Sequence, residues 1–211
     1  MHVKIENISM ENIIENPATE LFGKMLEFKS NKKILLTGPS GTGKTTFISA
    51  LYGLTNKYEG RILFSNKSIK KLTRNSWVNI RKNKLSIIFQ DLKLFAGLTG
   101  YENIIIKNRL TNYKSSKQIN SILTTLGIQR IAGKQISKMS FGEKQRFSIA
   151  RAFMQPFSWL ILDEPFSHLD KKNRDLACTL IEKECKERDA GIILADHDDD
   201  NLFNYDLILN L

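Results

Sequence analysis

The chain has 211 residues, 41% hydrophobic and 26% charged, and a formal net charge of +10. This balance is typical of a folded globular protein with a substantial core, and it excludes an intrinsically disordered chain. No apolar run approaches the ~20 residues of a membrane-spanning helix, and the first ten residues lack the apolar core of a signal peptide, so we expect a cytosolic protein.

Short strands dominate the predicted N-terminal part. Val3 to Ile8 alternates apolar and polar residues, and with Met25 to Phe28 it is expected to form an edge subsheet. The apolar run Ile34 to Leu36 is the next predicted strand. Arg61 to Phe64 follows Gly60 as a further strand, with Asn66 and Lys67 as the turn after it.

The run GPSGTGKT directly follows the strand at Ile34 to Leu36 and fits the pattern G-x-x-x-x-G-K-[ST] at every defined position. Glycines let successive backbone N–H groups point at a triphosphate, Lys44 reaches the terminal phosphates, and Thr45 offers a hydroxyl to Mg²⁺. A helix predicted over Thr46 to Gly53 adds partial positive charge beneath the phosphates. An ordinary turn is the alternative, which the strand–loop–helix order disfavours. The predicted nucleotide-binding residues of this loop are Gly38, Pro39, Ser40, Gly41, Thr42, Gly43, Lys44, Thr45 and Thr46.

The rest of the chain alternates strands with helices. The apolar run Leu85 to Phe89 ends at Gln90, and the pattern from Asp91 to about Lys138 is helical, which indicates a helical insertion. Helices and buried strands then alternate, as is typical of a mainly parallel α/β sheet. The predicted elements are a helix at Phe141 to Met154, a strand at Trp159 to Leu162, a helix at Lys172 to Arg188 and a strand at Ile192 to Ala195.

Two adjacent acids, Asp163 and Glu164, end the predicted strand at Trp159 to Leu162. Ligands bind at the carboxyl ends of strands in such sheets. One carboxylate there can hold Mg²⁺, and its neighbour can orient the attacking water as a general base. Either acid alone could be a solvated strand end, but the phosphate loop beside them favours a nucleotide site.

The basic stretch from Lys67 to Lys84 does not indicate a single kind of partner. The stretch would suit a nucleic acid, an anionic lipid surface or acidic partner, or simply a solvated face.

Cys178 and Cys185 lie two turns apart on a predicted helix, too far apart for a disulfide, and neither has a second ligand at metal-binding spacing. We expect buried thiols.

The segment MSFGEKQR from Met139 to Arg146, followed by a helix, resembles the LSGGQ signature of ATP-binding cassette (ABC) ATPases. It lies about twenty residues before the acidic strand end, as in that family, and Ser167 to Asp170 resembles the D-loop. Gln90 matches the Q-loop glutamine, and His197 matches the switch histidine. In isolation the signature could be a helix cap with a capping box, Gln90 a strand-end amide and His197 a surface histidine. The order of the five motifs favours the ABC interpretation.

The resemblance implies an α/β P-loop NTPase fold with a mainly parallel sheet flanked by helices, an antiparallel β subdomain and a helical subdomain. It implies a single ABC ATPase domain over residues 1–211, with the core and β subdomain at 1–90 and 141–211 and the helical subdomain at about 91–140. It also implies ATP and Mg²⁺ as ligands. The implied catalytic residues are Glu164, His197 and Gln90, the implied metal ligands are Thr45, Gln90 and Asp163, and the further nucleotide contacts are Ser140, Gly142, Glu143 and Asp170.

The resemblance also implies partners. Two such domains pack head to tail around two ATP molecules, here expected as a homodimer, and a domain of this kind drives an integral membrane permease from the cytoplasmic face of the membrane. Residues Asp91 to Asn103 are the expected permease contact. Their sequence is similar to that of importer, lipoprotein-release and macrolide-export subunits. A non-transport ABC ATPase acting on nucleic acid or another complex is the alternative, disfavoured because the chain lacks a long coiled coil and a second cassette; a simple P-loop phosphotransferase leaves the signature unexplained.

Two positions depart from the family pattern. Phe141 stands where the signature usually has its first glycine, whereas the second glycine, Gly142, is present. The neighbourhood that often stacks an aromatic ring on adenine contains Ile13, Ile14, Glu15, Asn16 and Pro17 instead. Loss of a stacking ring removes about 1–3 kcal/mol of base binding, which leaves the use of GTP open.

Overall fold

A computed structural model describes residues 1–10, 19–197 and 202–211 of the chain. Short 3₁₀ turns connect some of the elements. In chain order the strands and helices are β1 (Val3–Met10), β2 (Met25–Phe28), β3 (Lys33–Thr37), α1 (Lys44–Leu51), β4 (Tyr58–Phe64), β5 (Lys67–Ser68), α2 (Arg74–Asn83), β6 (Leu85–Ile88), α3 (Gly100–Arg109), α4 (Ser116–Thr125), α5 (Phe141–Ala152), β7 (Trp159–Asp163), α6 (Lys171–Lys186), β8 (Gly191–Asp196) and β9 (Leu207–Asn210).

Five strands form a parallel sheet in the order β6-β7-β8-β3-β9. Both faces of this sheet are covered, because alternate residues of β7 enter two different hydrophobic cores. Leu160 and Leu162 pack with α3 to α6, while Trp159 and Ile161 pack with α1 and the second sheet. Burial on both faces explains the continuous apolar runs. The predicted mainly parallel α/β sheet is confirmed.

The second sheet is antiparallel, in the order β2-β1-β4-β5, as expected for the edge subsheet. β4 begins at Tyr58, earlier than predicted, because Gly60 lies inside the strand at a bulge opposite Asn7. Gly60 has φ 73°, and a Cβ there would come within 2.3 Å of the Asn7 carbonyl oxygen. The following turn uses Ser65 and Asn66, both with positive φ, rather than Asn66 and Lys67.

The predicted helical region contains α3 and α4, which pack on the core formed with α5 and α6. The four residues at 3–4 spacing in α4 and just after it are buried: Ile119, Ile122, Leu123 and Leu126. Of the three isoleucines of α3 only Ile104 is fully buried, and Ile106 is 42% exposed. Across the described ranges, no helix combines the length and the apolar character needed to cross a membrane.

Three elements, β5, α2 and β9, were not predicted, and α1 begins at Lys44 rather than Thr46. No residue of α2 is fully buried, so its apolar pattern is weak, although Thr73 caps it by accepting a hydrogen bond from the Ser76 N–H. Cys178 and Cys185 are free and buried as expected, and burial raises the pKa of each thiol to about 12.

Candidate nucleotide-binding site

The phosphate loop connects β3 to α1 at the carboxyl edge of the parallel sheet. Gly41 and Gly43 have φ values of 86° and 98°, a conformation that favours glycine, so this turn favours glycine both at Gly43, which the pattern defines, and at Gly41, which it does not. Gly38 lies so close to the backbone of Leu211 that a Cβ would come within 2.4 Å of its carbonyl oxygen. Thr42 Oγ1 donates to the Pro39 carbonyl, which closes the loop.

Lys44 is 5% exposed, and its ammonium group donates to the carbonyl oxygens of Gly38 and Pro39. Its side chain therefore lies along the loop. Burial lowers the pKa of Lys44, against the opposing influence of Glu164, Asp196 and Asp163. Phosphate oxygens are better partners for this cation than loop carbonyls, since they carry full negative charge.

Thr45 and Asp163 form an oxygen-rich pair beneath the loop. Thr45 Oγ1 lies 3.2 Å from Asp163 Oδ1, and Asp163 is 2% exposed at the end of β7. Burial raises the pKa of Asp163 to about 6, with a further contribution from Glu164. A buried carboxylate beside a hydroxyl suits a hard cation such as Mg²⁺, which takes few protein ligands and completes its shell with phosphate and water.

The carboxylate of Glu164 is held at both oxygens. His197 Nε2 lies 3.0 Å from its Oε1, and Gln90 Nε2 donates to its Oε2 at 2.9 Å. The backbone of Glu164 is in the left-handed region at φ 46°, and its N–H donates to the carbonyl of Ala195 on the next strand. These contacts bring the three predicted catalytic residues together.

His197 is itself fixed by its neighbours. Its N–H donates to the Asp196 carboxylate at 2.8 Å, and its carbonyl accepts a hydrogen bond from Thr37 at the end of β3. The residues from Asp198 to Asp200, which suggested an ordinary acidic surface loop, lie outside the described residues, as does the Ile13 to Pro17 neighbourhood.

A cavity of about 450 Å³ is bordered by the three predicted metal ligands, Thr45, Gln90 and Asp163. Phe141 of the signature segment borders the same cavity and is 41% exposed. Its ring lies against the ring of His168, with the two centroids 4.2 Å apart. The residue that replaces the usual glycine is therefore packed against the predicted D-loop of the same chain.

The signature begins α5 with a capping box. Ser140 Oγ accepts from the Glu143 N–H at 3.2 Å, and the Glu143 carboxylate accepts from the Ser140 N–H at 2.8 Å. The hydrogen bond from the Ser140 backbone lowers the pKa of Glu143, and Lys134 contacts the same carboxylate at 3.1 Å. The hydroxyl proton of Ser140 remains available to an anion. The motif can therefore cap the helix and also serve as an ABC signature that binds an anion.

Gln145, which is 1% exposed, connects α5 to the segment after Glu164. Its side-chain oxygen accepts from the His168 N–H at 3.2 Å, and its amide donates to the Glu164 carbonyl at 3.4 Å. Gly142 lies close by, where a Cβ would stand 3.0 Å from the His168 carbonyl oxygen. Asp170 caps α6 through the Asn173 N–H, a bond that lowers the pKa of Asp170. Gln145 was not a predicted site residue, since its contacts depend on tertiary structure.

Residues 22–167 match the sequence profile of the ABC transporter family. The chain belongs to this family. The lipoprotein-releasing system ATP-binding protein LolD of Buchnera aphidicola is 32% identical over 176 residues, which cover 82% of this chain and 77% of LolD. The spermidine/putrescine import ATP-binding protein PotA of Borrelia garinii is 35% identical over 180 residues, and the chain spans about half of its length, 49%.

A solved dimeric structure of a bacterial ABC transporter cassette is also similar, with a TM-score of 0.79 and 25% identity over 93% of this chain and 88% of that one. Like other members of the ABC family, this chain is an ATP-binding subunit that hydrolyses ATP. The expected P-loop ABC fold is thus confirmed.

Proposed function

We propose that this ABC subunit hydrolyses ATP at the cavity beside the phosphate loop, and that a head-to-tail dimer uses this reaction to drive an integral membrane permease. The observation that carries the proposal is the convergence at one sheet edge of the phosphate loop, the Thr45–Asp163 pair and the Glu164 carboxylate held by Gln90 and His197. Such a cluster supplies a phosphate cradle, a cation site and a base together.

In this proposal Lys44 and the loop N–H groups bind the phosphates, and Thr45, Asp163 and Gln90 hold Mg²⁺. The bound ion would neutralise charge on the phosphate oxygens. Glu164 accepts the proton of the attacking water at a carboxylate oxygen, as the water oxygen bonds to the terminal phosphorus and the bond from that phosphorus to ADP breaks. His197 Nε2, which lies against this carboxylate, would turn to donate to the terminal phosphate. The nucleotide is ATP, and residues outside this cluster would contact its base.

Apart from Phe141, the signature residues do not border the cavity of their own chain. Ser140, Gly142, Glu143 and Asp170 belong to the N-terminal ends of α5 and α6, where backbone N–H groups and the Ser140 hydroxyl favour an anion. We propose that they contact the nucleotide bound by a second copy, which gives a homodimer with two shared sites. The dimeric cassette of similar fold supports this assembly.

A groove on the side of the molecule supports the membrane partner. This lateral groove of about 290 Å³ lies between the end of α1 and α3, and Lys107 and Arg151 are among its lining residues. Its apolar lining includes Tyr52, Phe89, Phe95, Ile106 and Leu110. Phe95 is 56% exposed and Leu110 52%. Asn103 fixes the Phe95 backbone by accepting from its N–H at 2.8 Å. Exposed apolar side chains held in place are typical of a docking surface.

The groove includes Phe95 and Asn103 of the predicted permease contact zone and is connected to the site. Arg151 of α5 donates to the carbonyls of Leu92 and Lys93, two residues with positive φ directly after Gln90 and Asp91. A shift of the docked partner would therefore act on Gln90 and on the signature helix together.

We propose that the subunit lies peripherally on the cytoplasmic face of the membrane and has no nucleic acid partner. We also propose that residues of about 91–140 form a helical subdomain and that residues 1–90 and 141–211 form the core with its β subdomain.

Co-purification from membranes tests the function as a whole. Tagged Glu164→Gln protein with ATP should hold the dimer closed and bring down a polytopic membrane protein after detergent extraction. Nucleic acid in its place, or a dimer without any membrane protein, would favour the non-transport ABC ATPase. Lys44→Ala, which removes the phosphate-binding cation, is the matched control and should yield less of the dimer.

Phe95→Asp should reduce recovery of the membrane protein at least tenfold, because a charge replaces an exposed ring of the lateral groove. Recovery is measured by quantitative immunoblot, and ATP binding by the purified variant checks its fold. Met25→Asp, at a 72% exposed residue remote from the groove, is the matched control. Unchanged recovery with Phe95→Asp would place the docking surface elsewhere. The neighbouring Leu94 packs against the core, so a charge at that position would test folding rather than docking.

A further inference from the structure

The segment from Arg61 to Gln90 contains eight basic residues and no Asp or Glu. Three of the eight are used within the fold. Arg61 pairs with Glu6 at 2.6 Å, Lys70 donates to the Tyr58 carbonyl and lies over its ring, and Arg81 donates to the carbonyls of Tyr52 and Gly53. The other five are exposed and have no ion pair with any residue that the structure describes: Lys67, Lys71, Arg74, Lys82 and Lys84.

Two of the exposed cations, Arg74 and Lys82, lie on one face of α2. Arg74, Val78 and Lys82 follow one another at four-residue spacing, which places them on the same helix face. Lys71 ends the short 3₁₀ turn that precedes α2. Val78 is 57% exposed between the two cations. We call Lys71, Arg74, Val78 and Lys82 the α2 basic face. Long cationic side chains around an apolar residue suit the boundary between lipid headgroups and acyl chains.

The opposite side of α2 is packed against the protein, where Arg81 contacts Tyr52 of the lateral groove. Trp77 lies edge-on to Phe64, with ring centroids 6.0 Å apart, and covers Gly53. The Arg81 guanidinium lies 5.3 Å from the ring centroid of Tyr52, which lines the groove with Phe89. A membrane protein seated in the groove would therefore bring the bilayer surface close to α2.

A nucleic acid fits this face less well. Trp77 is the only aromatic residue from 65 to 88, and its ring is packed inward, so the α2 basic face offers no ring on which a base could stack. Headgroup binding needs only cations near the surface, each contributing independently of sequence.

We propose that the α2 basic face binds anionic lipid headgroups beside the membrane partner. The inference rests on the proposed function, since the groove sets which side of the subunit meets the bilayer. It adds a direct contact between the subunit and lipid, which would favour membranes rich in acidic lipid and weaken with salt.

Vesicle flotation of the purified full chain tests the proposal. Wild-type protein should float with phosphatidylcholine vesicles only when they contain phosphatidylglycerol, and the bound fraction should fall as salt rises. Lys71→Gln/Arg74→Gln/Lys82→Gln should lower the partition coefficient about a hundredfold, given the known contribution of each cation. Lys117→Gln/Lys183→Gln/Lys186→Gln is the matched control, since both triple variants lower the formal charge from +10 to +7. The control should bind like wild type.

Equal losses of vesicle binding in the two triple variants would show that only net charge matters, and would overturn the proposal. Vesicle binding by the α2 variant at the wild-type level would overturn it as well. Binding of a DNA or RNA oligomer that the α2 variant loses, with no vesicle binding by wild type, would assign the face to nucleic acid. The assay needs no permease, so vesicle binding without any co-purified membrane protein would contradict the proposed function while leaving the lipid contact in place. Unchanged thermal unfolding of each variant confirms its fold.

Discussion

Replacing Glu164 by glutamine is expected to slow ATP hydrolysis by about 10²–10⁴-fold, because the substitution removes a positioned general base. The amide keeps the size of the side chain and can still accept a hydrogen bond from Gln90 Nε2, so the cavity should retain its shape. The phosphate loop and Lys44 are untouched, and ATP binding should persist. The variant would therefore bind nucleotide and fail to turn it over.

Single-turnover release of phosphate measures the rate, and equilibrium titration with a fluorescent ATP analogue measures binding separately. Glu187→Gln, an exposed carboxylate just after α6, is the matched control and should hydrolyse ATP like wild type. A Glu164→Gln rate within threefold of wild type would mean that another group accepts the proton. Loss of binding in parallel with hydrolysis would instead assign Glu164 a structural role in the loop.

The contiguous motifs could be predicted because local sequence alone determines their geometry. The phosphate loop needs glycines at positive φ, and the acids after β7 follow a buried strand. The same reasoning could not find Gln145 or Arg151 as connecting residues, since their partners lie 19 or more positions away in the chain. The left-handed backbone at Leu92 and Lys93 carries no glycine or asparagine signal either.

Two of the three missed elements, α2 and β9, show a second limit, because both depend on tertiary contacts. The helix α2 has few apolar residues, and Trp77 and Arg81 fix it to Gly53 and Tyr52, far from it in sequence. The strand β9 is a four-residue segment whose register comes from pairing with β3. Such elements are specified by partners that a local pattern does not contain.

Substitution in a buried ion cluster outside the nucleotide site is expected to lower the free energy of unfolding more than any other change considered. Glu184 on α6 contacts Lys114 Nζ at 2.9 Å and the Arg188 guanidinium at 2.7 Å, and all three side chains are at most 6% exposed. The guanidinium also lies 4.6 Å from the centroid of Phe157 and 5.0 Å from that of Tyr113. The single carboxylate therefore compensates two cations that water cannot reach.

Glu184→Gln should lower the free energy of unfolding by about 3–5 kcal/mol, because it leaves Lys114 and Arg188 buried without a countercharge. Urea unfolding measures the change, and Glu187→Gln on the exposed surface should stay within about 0.5 kcal/mol of wild type. Adding Lys114→Met to Glu184→Gln removes one uncompensated cation and should recover part of the loss. A loss below about 1 kcal/mol in the single variant, or no recovery in the double variant, would show that water or a rearranged side chain compensates the charges.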